Sequence, residues 1–305
     1  MRRTLRVLIA ILAVLAGGCA RSAAAPGPSG LFDVGDGRKL FLDCQGSGSP
    51  TVFIIPGKGS YTEAWNYVVP PDDPIRSSPY DIITQAKLEP SPDAVQPTVA
   101  KTTQVCAYDR PNTRPDGVDR STDVPQPHGL QQDVDDVVAL INASQLPTPL
   151  VFVAHSYGGL IADLLARTRP DLVAGLVMVD PVSEFLETLG SPAQNAAWER
   201  DSMTPPEPGD ETVLVGDAIT LVQNAPPLPR VPAIVLSSDK FASPEVLTPE
   251  NYTLAQIHQA NTLLADALGT TNVVSNGSGH NMMLYQPKFV ADNIIGIVDQ
   301  VRQTG

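Results

Sequence analysis

The sequence predicts an α/β fold with a mostly parallel central sheet of about eight strands and helices on both faces. Three observations carry that prediction. Short, nearly continuous apolar runs such as TVFIIPG (51–57) and VAGLVMVDP (173–181) have the content of strands buried on both faces. Stretches with apolar residues at helical spacing lie between those runs. The 30 prolines fall mainly between the apolar runs, which marks ordered connections instead of disorder.

The elements follow in order. Leu31 to Val34 and Lys39 to Cys44 form an antiparallel pair joined by GDGR, a strong hairpin signal. Strands are expected at 51–57, 103–111, 149–156, 173–181, 232–239 and 271–276. The segment 130–144 places Leu130, Val134, Val137, Val138 and Ile141 on one helical face. Further helices are expected after Ser156, over 249–269 ending at Gly269, and over 287–303. Two connections, 58–102 and 182–231, exceed ordinary loop length. The second follows a strand at the edge of the sheet where ligands bind, which makes it the better candidate for a lid.

Three arginines, an apolar run from Val7 to Ala16 and then small residues give the N-terminus the layout of an export signal. That run is about half the roughly 20 residues that span a bilayer. Leu15 to Cys19 resembles a bacterial lipobox, with Ala16 where Leu is commoner, and Cys19 would then carry lipid. Cleavage after Ala25 is the alternative. Residues 1–25 are therefore assigned to the signal and linker, and 26–305 to one domain. The expected location is the cell envelope or the exterior, with membrane contact only through a lipid at Cys19. The net charge of −13 becomes more negative once the leader's three basic residues are removed. It disfavours nucleic acid and anionic headgroups as partners.

The stretch Ala154-His155-Ser156-Tyr157-Gly158 joins a strand to a helix. It resembles the nucleophile elbow of the α/β-hydrolase family, G-x-S-x-G, with Ala154 in place of the first glycine. A serine between strand and helix can also be a plain N-cap. LDCQGSGSPTV, VCAYDRPN, AHSYGGL and GLVMVDP are similar to a secreted or envelope branch of the same family, and the resemblance runs from about Leu31 to Ile297. Asn112 replaces a family glycine, and the 58–102 insertion is longer than usual.

That resemblance implies an α/β-hydrolase fold and a serine hydrolase whose triad follows the order serine, acid, histidine. Ser156 is then the nucleophile, activated by a base. His280, on a Gly-rich loop after the last strand, is expected to be that base, while His155 packs and His258 lies mid-helix. His128 precedes the helix at 130. Two aspartates compete for the third place. Asp239 stands at the family's usual position and is preferred, although Ser237 and Ser238 occupy sites where glycine is common. Asp180, one strand earlier, is the alternative. The N–H groups of Tyr157 and Lys58 would hold the oxyanion. In the family sheet the strand ending at Cys44 lies beside the one carrying Cys106. The resemblance thus implies a Cys44–Cys106 disulfide closing a loop of about 60 residues, with two buried free thiols as the alternative. A small acyl ester is the expected substrate, with no metal or organic cofactor. Amide, peptide or peracid chemistry would use the same triad, and a binding protein that has lost turnover is the rival of another class. Epoxide hydrolase and dehalogenase readings need Asp where Ser156 stands. Oligomeric state is left open.

Overall fold

Eight strands pair into a single, mostly parallel sheet. The computed structural model describes residues 27–113 and 119–304, so the leader, Cys19 and its cleavage alternatives lie outside the described residues. β1 (Ser29–Gly35) and β2 (Arg38–Gln45) form the expected hairpin. β2 also pairs antiparallel with β6 (Val105–Tyr108). From there the sheet is parallel through β3 (Val52–Ile55), β7 (Leu150–His155), β8 (Val173–Val179), β9 (Ala233–Ser237) and β10 (Asn272–Val274).

The side-chain alternation of a strand sorts these apolar runs into two cores. Phe53, Ile55, Cys106, Tyr108 and Phe152 face one side, against α2 (Leu130–Ala143), α3 (Gly158–Thr168) and α7 (Leu254–Leu268). Val52, Ile54, Val105, Val151 and Val153 face the other, against α1 (Val95–Val99) and α9 (Pro287–Thr304). In α2 Leu130, Val134, Val137 and Ile141 are buried, as their spacing predicts. Helix α7 starts at Leu254, later than its periodicity suggests, because a reciprocal Thr253–Gln256 capping box sets its N-terminus. It ends at Gly269, whose φ of +74° suits the left-handed cap. Among the described residues no helix is long and apolar enough to cross a membrane.

The two long connections carry structure of their own. Segment 58–102 contains a small ribbon of β4 (Tyr67–Val68) and β5 (Glu89–Pro90) as well as α1. The connection between β8 and β9 contains α4 (Phe185–Leu189), α5 (Pro192–Ser202) and α6 (Val215–Gln223). A last short helix, α8 (Met282–Tyr285), follows β10.

Cys44 and Cys106 are register partners across β2 and β6 and are disulfide-bonded, closing a loop with a sequence separation of 62. In a chain-entropy account a loop of that size stabilises by about 4 kcal/mol. The Cys44→Ala/Cys106→Ala double variant should therefore lose up to about 4 kcal/mol in urea unfolding. Equal stability of the variant and the oxidised parent would contradict that account.

Candidate active site

The serine sits where β7 gives way to α3. Its φ is +54°, in the left-handed region that residues with a β-carbon seldom occupy. The surrounding backbone holds it there. Ser156 N–H continues the ladder to the Val179 carbonyl (3.3 Å), and its own carbonyl accepts the N–H groups of Gly159 (2.8 Å) and Val182 (2.9 Å). A β-carbon at residue 158 would lie 2.5 Å from the Ile55 carbonyl oxygen, and one at residue 57 would lie 2.8 Å from the Ser156 β-carbon. The small residues are therefore required by the end of β3, which crosses directly against the turn. The Ala154 methyl is accommodated in the core against α2, α3 and α7.

Over this turn stands His280. Ser156 Oγ donates to His280 Nε2 at 2.9 Å, and His280 Nδ1 donates to Asp180 Oδ2 at 2.7 Å. Asp180 directly follows β8 and has a φ of +41°. Ser238 satisfies the rest of its carboxylate, with N–H to Oδ1 at 3.0 Å and hydroxyl to Oδ2 at 2.9 Å. Burial pushes the Asp180 carboxyl up, but the bonds from His280 and Ser238 outweigh it and hold the group below the usual aspartate value. Burial likewise works against a charged His280, yet the hydrogen bond and charge of Asp180, with Asp81 behind, leave its imidazole above the ordinary value.

Asp239, the preferred acid of the sequence reading, does not meet the histidine. Its Oδ2 accepts Gly277 N–H at 2.8 Å and its Oδ1 accepts Ser278 N–H at 2.7 Å. It ties down the loop that leads into His280. The carboxylate against the imidazole is that of Asp180, because the left-handed turn after β8 aims it across the end of β9, where Ser238 offers a hydroxyl.

The other histidines have defined places. His155 is buried, with its ring 4.7 Å from that of His280, and its Nε2 donates to the His280 carbonyl at 2.9 Å. It therefore braces the histidine loop, beyond the packing expected of it. Burial and the neighbouring imidazole push it down to about 3, so it is neutral in solution near pH 7. His258 Nε2 donates to the Ser238 carbonyl at 2.7 Å. His128 Nε2 donates to Asp133 at 2.9 Å.

Lys58 lies next to Gly57 and half-buried, not freely solvated; burial pulls its ammonium below the ordinary lysine value, against Glu211 and Asp201. The loop is pinned at the following residue, where Gly59 N–H donates to Glu211 Oε2 at 2.7 Å. Glu211 pairs with the fully buried Arg110, whose guanidinium also bonds Asp133 at 3.1 Å. Asp133 in turn accepts the Tyr157 hydroxyl at 3.1 Å. His128, Asp133 and Glu211 are close enough to hold a cation. Arg110 already supplies that positive charge, so the donor set does not fit a resident metal. Both residues expected to donate N–H groups to an oxyanion, Lys58 and Tyr157, are thus connected to one buried ionic cluster.

The profile of the alpha/beta hydrolase family matches residues 52–293, which encloses the serine, both aspartates and the histidine. The chain belongs to that family. The fold of this hydrolase family member is similar to that of Est816, described as an N-acyl homoserine lactone degrading enzyme. That likeness has a TM-score of 0.56 and 18% identity, over 88% of this chain and 100% of the other. A thermophilic esterase from Thermogutta terrifontis is similar at a TM-score of 0.55 and 16% identity, over 91% of this chain and 99% of the other. In sequence, the lipase LipV of Mycobacterium tuberculosis is 44% identical over 55 residues, 18% of this chain and 21% of the lipase. The chain aligns with only 28% and 21% of the length of the two curated relatives it matches.

In an NMR titration His280 should titrate above the ordinary histidine value of about 6.5 and fall below its parent value in Asp180→Asn. His155 should remain neutral throughout the neutral range. A His280 that titrates identically in both proteins would contradict the Asp180 pairing.

Proposed function

We propose that this hydrolase cleaves small carboxylic esters with a triad of Ser156, His280 and Asp180, through an acyl-enzyme. The observation that carries the reading is the unbroken chain of contacts from Ser156 Oγ to His280 Nε2 (2.9 Å) and from His280 Nδ1 to Asp180 (2.7 Å). Ser156 Oγ attacks the acyl carbon and passes its proton to His280 Nε2. The ionised Asp180 fixes the imidazole's tautomer and stabilises the imidazolium. The Tyr157 and Lys58 N–H groups receive the oxyanion. His280 returns the proton to the departing alkoxide. Water then attacks the acyl-enzyme, losing its proton to His280, and the released serine recovers it.

The cavities around these groups support small substituents. One of about 250 Å³ opens on His280 and Asp180 between Phe241 and Leu254, and another of about 250 Å³ lies beside Lys58, Tyr61 and Leu284. The connection between β8 and β9 acts as the lid in this reading. The charged-then-apolar N-terminal segment and the disulfide both support an exported protein.

A fluorophosphonate probe should label the parent at Ser156 and leave Ser156→Ala unlabelled; a parent that stays unlabelled would point to a binding protein on a hydrolase fold. Among nitrophenyl esters, acetate and butyrate should turn over faster than decanoate. Asp180→Asn should lower kcat by about 10³ to 10⁴, in the range that loss of a triad aspartate produces. Asp239→Asn should keep most activity. The reverse pattern would restore Asp239 as the acid. Because the base must be neutral and its pKa is raised, kcat/KM should fall with acidification from a point above about pH 6.5.

A further inference from the structure

Apart from Lys58 at its start, the 58–102 insertion sends one side chain to the histidine. Asp81 Oδ2 accepts the His280 backbone N–H at 2.7 Å. Its Oδ1 accepts the Tyr285 hydroxyl at 2.9 Å and the Ile83 N–H at 3.3 Å. Gly279 leaves room for this carboxylate, whose oxygens a β-carbon at that position would overlap. The segment around Asp81 is itself anchored. Asp81 N–H donates to the Phe241 carbonyl at 2.8 Å, and Tyr80 forms a bridge to Phe241. Lys240 donates to the Arg76 carbonyl at 2.9 Å, and Arg76 donates to the Tyr285 carbonyl at 2.9 Å. The insertion thereby ties together the chain after β9 and the helix after His280.

We propose that Asp81 is a positioning residue for the catalytic histidine: the insertion delivers a second carboxylate that fixes the His280 main chain and adds negative charge beside an imidazole already paired with Asp180. This rests on the triad reading above. The groups around the imidazole are Asp180 from the end of β8, Ser156 and the neutral His155 from the end of β7, and Asp81 from the insertion, with Tyr285 and Lys240 beyond. Lys240 directs its ammonium to the carbonyls of Ile75 (3.4 Å) and Arg76 (2.9 Å) and over the Tyr285 ring (5.3 Å). Asp81 forms no ion pair with it among the described residues, so its charge is available to the imidazolium.

Asp81→Asn keeps an oxygen acceptor for the His280 N–H and removes the charge. The acid limb of kcat/KM should move to lower pH by about half a unit to one unit, since an anion that favours the imidazolium is lost and the open cleft screens part of the effect. Fluorophosphonate labelling should persist, because the nucleophile does not change. Tyr285→Phe retains the charge, and its acid limb should overlay the parent's. Asp81→Ala loses the acceptor as well, and its kcat should fall by about 10- to 100-fold, as a displaced catalytic group does. Thermal unfolding follows all three variants; if the Ala variant does not fold, the Asn profile decides alone. A parent labelled at Ser156 with an unmoved Asp81→Asn acid limb overturns this proposal by itself. A parent that does not label overturns the triad reading and this proposal with it.

Discussion

Parallel pairing of β7 with β8 is the constraint on which the site depends. His155 and Val179 are the last register partners, so Ser156 and Asp180 stand one residue further on, side by side on neighbouring strands. Both then leave the β region for positive φ, at +54° and +41°. Such backbone costs on the order of 1–3 kcal/mol per residue and persists only where surrounding structure over-determines it. Here the ladder supplies that surrounding: Ser156 N–H bonds Val179 and Asp180 N–H bonds the Leu236 carbonyl at 2.7 Å. The strands hold two side chains at a fixed lateral spacing, and one imidazole spans it. Neither a loop nor an isolated helix would define that spacing as tightly, because only a paired sheet fixes both ends against each other.

The loop after β3 rests on a different interaction, the buried ionic cluster of Arg110, Asp133 and Glu211. Arg110 is 1% exposed and Glu211 also 1%. Taking such charges out of water is costly, and removing one partner of a buried pair typically destabilises by about 3–5 kcal/mol because the other is left uncompensated. The cluster therefore fixes geometry more than it adds stability. Glu211 comes from the connection between β8 and β9, Asp133 from α2, and Arg110 from the turn after β6. Their meeting point holds Gly59 N–H on one side and the Tyr157 hydroxyl on the other. Three separate parts of the chain thus meet between the loop after β3 and the start of α3.

Much of this architecture is legible in the sequence, and the reasons are physical. Strands buried on both faces leave continuous apolar runs, so β3, β6, β7, β8 and β9 each appear within a residue or a few of their expected bounds. Ser156 is legible because the crossing of β3 allows almost nothing at residue 158. His280 is legible because a glycine-rich loop after the last strand leaves few other histidines in reach. Which aspartate meets His280 is harder to read, since Asp180 and Asp239 both end apolar strands. Ser238, which stands where a family glycine is common, carries the relevant signal, because its hydroxyl meets Asp180. Asp81 and Glu211 were not legible at all. Both lie in long connections without periodicity, and each meets its partner 199 and 152 residues away in sequence respectively. No local pattern can encode a contact of that range.

The two insertions thus divide the work between them. The 58–102 segment reaches His280 through Asp81, and the 182–231 segment reaches the loop after β3 through Glu211. Each presents a carboxylate to a backbone N–H, so each helps fix where the main chain lies. This arrangement suits a fold whose sheet is shared by many chemistries. The strand ends place Ser156 and Asp180 at a spacing set by the ladder, and the long connections contact the two loops that the ladder does not control. A change of length or sequence in the 58–102 connection would then act together on the alignment of His280 and on the shape of the cavities that the connection lines.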